Sequence, residues 1–271
     1  MCELLSVSTA QAAQLSFSLH TLAARGGVRG GTHDGWGVAF YQGLDVALFR
    51  EPLAAGGSAL VRYLETQGPS TDLGISHIRH ATRGSVAFAN TQPFVRELAG
   101  RTHSFAHNGT LHQLDESHIL ALNGYQPVGQ TDSEYAFCVL MARLHTLWAG
   151  AEPPSLEARM DLLGAFAADM RSLGTANFLY SDGDALFAHA HRRIHDGAEQ
   201  AEPPGLWLLE RHGAPDASST THEHGVAIEP DEHRALMIAS VALTDEDWRP
   251  LPEGTLVAVR KGQLLATRQG M

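Results

Sequence analysis

Apolar and polar positions alternate in short blocks along most of the chain, and the period changes from segment to segment. On either side of Gly43, the VAFYQ and DVALF blocks have a period of two and predict two strands joined by a tight turn. LGISHIRHAT (73–82) and THSFAHNGTL (102–111) also read as strands, and each ends in side chains able to do chemistry. In TAQAAQLSFSLHTL, Leu15, Leu19 and Leu22 fall at helical spacing, which predicts a helix over 9–22, stopped by Gly26 and Gly27. The glycine-rich RGGVRGGTHDGWG (25–37) then predicts a loop feeding the hairpin. Phe137, Leu140, Met141, Leu144 and Leu147 form one helical stripe over 133–148, and Ser155 is placed to cap a second helix running to about 173.

Strand signals return after these helices. ANFLYSDGDALFAHA predicts a hairpin turning at Asp182-Gly183, RALMIASVAL is a compact apolar run, and TLVAVRKGQLLATR turns at Lys261-Gly262. Residues 192–225 surround one apolar island with Pro, Gly and polar side chains, which predicts irregular loops. Many short strands with a few long helices give an α+β class, with sheets covered by helices.

Composition narrows the setting. With 271 residues, 44% of them hydrophobic, the chain can bury a sizeable core. The formal net charge of −11 opposes nonspecific binding to nucleic acid or to anionic lipid. Two cysteines cannot build a disulfide framework, and MCELLSVSTA lacks the pattern of a secretion signal, so a cytoplasmic location is expected. No uncharged apolar run approaches the roughly 18 residues of a membrane helix.

Several positions carry candidate chemistry. Removal of Met1 would leave Cys2 with a free α-amine, so one residue would hold both a thiol nucleophile and a base of reference pKa about 7.7–8. Taken alone, Cys2 reads more readily as a small buried hydrophobe near the start of a strand. His107-Asn108-Gly109 can aim a side-chain amide and a backbone N–H at one spot, although Asn-Gly is also a common turn. Arg79 can fork onto a carboxylate or pair with a surface acid. Asp132 can hold an ammonium, yet Thr131, Asp132 or Ser133 is also what a helix N-terminus asks for. The close pairs among the sixteen histidines lack a cysteine partner or an HExxH pattern, so neither a metal nor another cofactor is expected. Cys138 falls in the helical stripe region and reads as a core thiol.

Taken together, Cys2, His33-Asp34-Gly35-Trp36-Gly37, His77-Ile78-Arg79-His80-Ala81-Thr82, Asn90-Thr91-Gln92-Pro93-Phe94, His107-Asn108-Gly109 and Thr131-Asp132-Ser133-Glu134 occur in an order and spacing that resemble the class II glutamine amidotransferases. These belong to the N-terminal nucleophile hydrolases, and MCELL looks like the stand-alone, YafJ-like type. The resemblance implies a four-layer αββα sandwich and a single domain over 2–271, with Met1 removed. It makes Cys2 the nucleophile, Asn108 and the Gly109 amide the oxyanion donors, Arg79 the partner of the glutamine α-carboxylate and Asp132 that of its α-ammonium. Thr82, Trp36 and His107 would line or support the pocket. His33 and Trp36 depart from the family's usual first glycine loop, which implies a differently shaped loop there. The chain length leaves no room for a second catalytic domain, so ammonia would pass to a separate synthase subunit or be released. Two other readings stand beside the glutaminase: a hydrolase of γ-glutamyl amides or peptides, and a catalytically silent binding or regulatory subunit.

Overall fold

The computed structural model describes residues 2–17, 34–114, 121–148, 150, 152–195, 197–212, 226–228 and 234–270. One antiparallel sheet is built around β1 (Glu3–Phe17), which pairs on one side with β4 (Ser70–Ile78) and on the other with β13 (Ala235–Ala239). Beyond β4 lie β2 (Trp36–Gln42) and β3 (Asp45–Glu51); beyond β13 lie β11 (Trp207–Arg211) and β14 (Arg249–Pro250). The short β12 (Val226–Ile228) pairs with the far end of β1. The second sheet runs in the order β16 (Gln263–Gln269), β15 (Thr255–Arg260), β8 (Leu186–His189), β7 (Gly174–Ser181), β6 (Arg101–Leu111), β5 (Phe94–Leu98). A two-stranded ribbon of β9 (Arg193–Ile194) and β10 (Ala201–Glu202) stands apart from both.

The period-two patterning explains how these sheets pack. On β1, Leu4 points one way and Leu5 and Val7 the other. Leu4, Tyr41, Leu73, Ile75 and Ile238 meet Ala106, Leu179, Leu186, Ala188 and Val257 of the second sheet in a shared core. On the opposite face of the first sheet, Leu5, Val7, Trp36, Val38 and Phe40 pack with Val61 and Leu64 of α1 (Ala59–Gln67), whose N-cap Ser58 accepts from Val61 N. On the outer face of the second sheet, Phe105, Phe178 and Phe187 lie beneath Phe137 and Leu140 of α2 (Asp132–Leu147) and Leu163 and Phe166 of α3 (Leu156–Leu173).

The hairpins at Gly43, Asp182-Gly183 and Lys261-Gly262, the two long helices and the strands at 73–82 and 102–111 form where the sequence predicts them, within a few residues at their ends. Two expectations are overturned. The segment predicted as a helix over 9–22 is the outer half of β1 as far as Phe17, while Leu19, Leu22 and the glycine loop up to His33 lie outside the described residues. Alanine-rich propensity yields there to ladder pairing: Ala13 lies opposite Thr71 and Gln14 opposite Ser70 after a register shift beyond Ser8. The apolar island in 192–225 is a strand, β11, held between β13 and β14, and β9 and β10 add a small ribbon; residues 213–225 lie outside the described set.

Phe178 is fully buried, with ring centroids 5.6 Å from Phe105 and 5.5 Å from Phe166. Phe178→Ala is expected to cost about 3–5 kcal/mol of unfolding free energy, read as a lower urea midpoint at unchanged slope.

Candidate active site

Cys2 enters the interface between the sheets just ahead of β1. Its thiol donates to the His80 carbonyl at 3.3 Å and accepts from the His80 N–H at 3.2 Å, so the backbone just past β4 holds the sulfur. Burial pushes the thiol up to about 11, and the His80 N–H only partly offsets this. Across the interface, Asn108 of β6 turns its side chain inward, and Nδ2 donates to the Cys2 carbonyl oxygen at 2.6 Å. The next residue, Gly109, has φ +157°, and a Cβ there would stand 1.9 Å from the Thr175 carbonyl oxygen of β7. Only glycine allows the two backbones this approach.

Arg79 follows β4 with its guanidinium buried beside Cys2. Nη1 donates to Ser85 O at 3.0 Å, while Nη2 donates to Arg83 O at 3.0 Å and Gly84 O at 3.3 Å. Burial draws its pKa down, opposed by Cys2 and Asp34. Its backbone is latched to the first glycine loop: Arg79 N donates to Gly35 O and Asp34 N to Arg79 O, and the Asp34 carboxylate accepts from Ala81 N at 2.7 Å. Arg79 thus organises residues 83–85 as well as standing close to the thiol.

Thr131, not Asp132, caps α2, its hydroxyl accepting from Glu134 N. That leaves the Asp132 carboxylate for other work: Oδ2 accepts from Leu111 N at 2.8 Å and Oδ1 from Ser133 N at 3.0 Å. Asp132 lines a cavity of about 130 Å³ together with Arg83, Gln130, Thr131 and Tyr135. His107 supports the Asn108-Gly109 pair from the helix side, with Nδ1 2.9 Å from Ser133 Oγ and Nε2 3.2 Å from Thr175 O. Gln92 clamps the His107 backbone, accepting from its N–H at 2.6 Å and donating to its carbonyl at 3.2 Å.

Residues 1–270 match the family described as glutamine amidotransferases class-II. The chain belongs to this family. It is 34% identical over 255 residues to YafJ of Escherichia coli (strain K12), a protein provisionally named a glutamine amidotransferase, covering 94% of this chain and 95% of that one. A crystal structure from Pseudomonas aeruginosa PA01, of a protein predicted to be a glutamine amidotransferase, matches with TM-score 0.69 at 30% identity over 98% of this chain and all of that one. The glutamine phosphoribosylpyrophosphate amidotransferase of B. subtilis shares the fold, with TM-score 0.58 at 14% identity over 99% of this chain and 49% of that one.

In this amidotransferase the structure brings Cys2, Arg79, Asn108 and Gly109 to one end of the sheet interface, with His107 behind them. Trp36 is fully buried on the α1 side of the first sheet, donating to Glu51 Oε2 at 3.1 Å, and Thr82 is exposed in the loop after β4. Arg83 and Gln130 were not singled out in the sequence; both are the polar members of loops flanking a motif residue, which is the one signal pointing to them.

His77, two residues before Arg79, is fully buried with both ring nitrogens unpartnered, and burial together with the His107 and Arg79 charges pushes it down to about 3. Above about pH 6.5 its imidazole is neutral in folded and unfolded chains alike; below that, the unfolded chain takes up a proton that the folded chain refuses, so stability is lost as the pH falls toward about 3. For this one group the loss between pH 7 and pH 5 is about 2 kcal/mol. His77→Gln is expected to reduce the difference between the unfolding free energies obtained from urea titrations at those two pH values by that amount; an unchanged difference would exclude a neutral buried His77.

Proposed function

We propose that this amidotransferase hydrolyses the γ-carboxamide of glutamine to glutamate and ammonia through a thioester on Cys2, working as a single domain over 2–271 after removal of Met1. The observation that carries the reading is the meeting of Cys2 and Asn108 across the two sheets, with Nδ2 of Asn108 2.6 Å from the Cys2 carbonyl. The stacking of helix, sheet, sheet and helix described by the three cores supports the four-layer αββα arrangement expected of N-terminal nucleophile hydrolases.

In the proposed reaction the sulfur of Cys2 attacks the γ-carbonyl carbon and the thiol proton passes to the freed α-amine. The carbonyl oxygen becomes an oxyanion, which Asn108 Nδ2 and the Gly109 N–H stabilise from a strand held rigid by β7, Gln92 and His107. Collapse breaks the C–N bond, and the α-ammonium returns its proton to the departing nitrogen, releasing ammonia. Water then attacks the thioester, giving glutamate and restoring the thiol. While Met1 acylates Cys2 this cycle cannot start, because the base is an amide and the thiol is pushed up to about 11. Cleavage of one peptide bond supplies the base.

The cavity beside Asp132 supports recognition of an amino-acid head group. Asp132 presents a carboxylate oriented by two backbone N–H groups to an ammonium, and Arg83 and Arg79 supply positive charge for a carboxylate. No metal or other cofactor enters the scheme. The ammonia passes to a separate acceptor subunit or leaves free, and the reducing cytoplasm suits a thiol nucleophile in a chain whose two cysteines are both free.

In protein verified by intact mass to lack Met1, Cys2→Ala is expected to lower glutamate release from glutamine by more than about 10³-fold. Asn108→Ala should lower kcat about 10²–10³-fold, and Asp132→Asn should act mainly on KM. Turnover confined to γ-glutamyl conjugates would replace the glutaminase with a γ-glutamyl hydrolase, and turnover that survives Cys2→Ala would remove the cysteine mechanism.

A further inference from the structure

Residues 191–193 touch the neighbourhoods of both proposed reacting groups at once. On one side Arg193, almost fully buried, donates through Nη2 to Glu3 Oε1 at 2.6 Å and through Nη1 to Ser240 O at 2.6 Å. Glu3 is fully buried and directly follows Cys2. Ser240 is bonded back to the same strand, its hydroxyl accepting from Leu4 N at 2.8 Å and its N–H donating to Leu4 O at 3.0 Å. On the other side stands Asn177 of β7, the Cα partner of Asn108. Its Nδ2 donates to Asn108 O at 3.1 Å and to Arg192 O at 2.7 Å, and its Oδ1 accepts from His191 N at 2.7 Å. Gly205 closes over that amide so tightly that a Cβ would stand 1.7 Å from Oδ1.

These contacts form a closed ring. Cys2 continues covalently to Glu3, Glu3 pairs with Arg193, Arg193 follows Arg192, Arg192 is bonded to Asn177, Asn177 to Asn108, and Asn108 to the carbonyl of Cys2. We propose that Arg193 and Asn177 are positioning residues that set the spacing between the Cys2 nucleophile and the Asn108 oxyanion donor by fastening residues 191–193 to both strands. This inference rests on the proposed thioester chemistry. Neither residue touches substrate in this scheme; each acts through its neighbour.

A buried ion pair is a poor device for stability alone, since desolvation of both charges offsets their attraction, and here Glu3 Oε2 and Arg193 Nε are left without partners. Burial pushes Glu3 up to about 7 despite Arg193, which is the cost the pair carries. Its geometry, a fork reaching from Glu3 to Ser240 O, fits a role in fixing distance. An error of about 1 Å between reacting groups costs about 10²-fold in rate.

The test compares Arg193→Met, Arg193→Lys and the double variant Glu3→Gln/Arg193→Met with the parent, all lacking Met1. Removing both charges together should restore the melting temperature lost in Arg193→Met. The proposal expects kcat for glutamine to stay about 10²-fold down in that double variant with KM within about threefold of the parent, and Arg193→Lys to recover part of it. Recovery of kcat together with the melting temperature would reduce the pair to a structural role and overturn the proposal, as would a loss seen in KM alone. If the parent itself shows no Cys2-dependent turnover, the functional reading fails separately, and the spacing is read by iodoacetamide labelling followed by mass spectrometry. Arg193→Met and Asn177→Asp should then each speed alkylation of Cys2 relative to Cys138 by about tenfold as the ring opens; unchanged labelling in both would overturn the proposal.

Discussion

The hydrogen bond from Asn108 Nδ2 to the Cys2 carbonyl joins the two sheets at one end of their common core, and much of the fold serves to hold its two ends still. β1 carries Cys2 at its start, and it is paired on both sides, by β4 and β13, over its first half. β6 is likewise paired on both sides, by β5 and β7. Each strand buries both faces, so neither can shift without disturbing two cores. A side chain two residues into the sequence is thereby placed as firmly as one in the middle of a sheet.

The pattern of period two carried the hairpins because turn residues and alternation agree there: Gly43, Gly183 and Gly262 all adopt positive φ where the sequence calls for a tight reversal. It failed at 9–22 because TAQAAQLSFS satisfies a helical spacing and a strand spacing equally, and the decision rests on β4 and β12, which lie far away in sequence. It failed again at β11, where a five-residue apolar island is a strand only because an unfilled edge of β13 waits for it. α1 escaped notice for a related reason: nine residues with two buried apolar positions are too short to announce themselves, and the Ser58 cap and the Trp36 face beneath supply what propensity does not.

At the site, motif order identified the family and most of the residues that cluster, but could not assign their contacts. Arg79 also has work inside the protein that no motif announces, with Nη1 and Nη2 donating to three carbonyls of its own loop. Asp132 has the appearance of a helix cap, yet Thr131 performs that task and frees the carboxylate to line a cavity. Capping is a contest between adjacent residues settled by backbone angles, and Thr131, extended at φ −87° and ψ 144°, is the one outside the helix. Glu3, Asn177 and Arg193 belong to no motif, since what links them is tertiary: 190 residues separate the ion pair.

The histidines around Cys2 sharpen the argument for a self-supplied base. His80 meets the sulfur through its backbone alone. His107 is on the far face of β6, engaged with Ser133 and Thr175. His77 is neutral and sealed, with burial pressing it toward about 3. Among the described residues no imidazole is hydrogen-bonded to the thiol, and a thiol pushed up to about 11 by burial supplies almost no thiolate at neutral pH by itself. In the proposed reaction the α-amine released beside it meets both needs, because it accepts the proton at close range and, once charged, favours the thiolate by direct attraction. In that proposed reaction the desolvation that pushes the thiol up is also the condition that strengthens the oxyanion bonds from Asn108 and Gly109 once the amine is free, so one feature of the site raises the need for a base and the strength of the donors together.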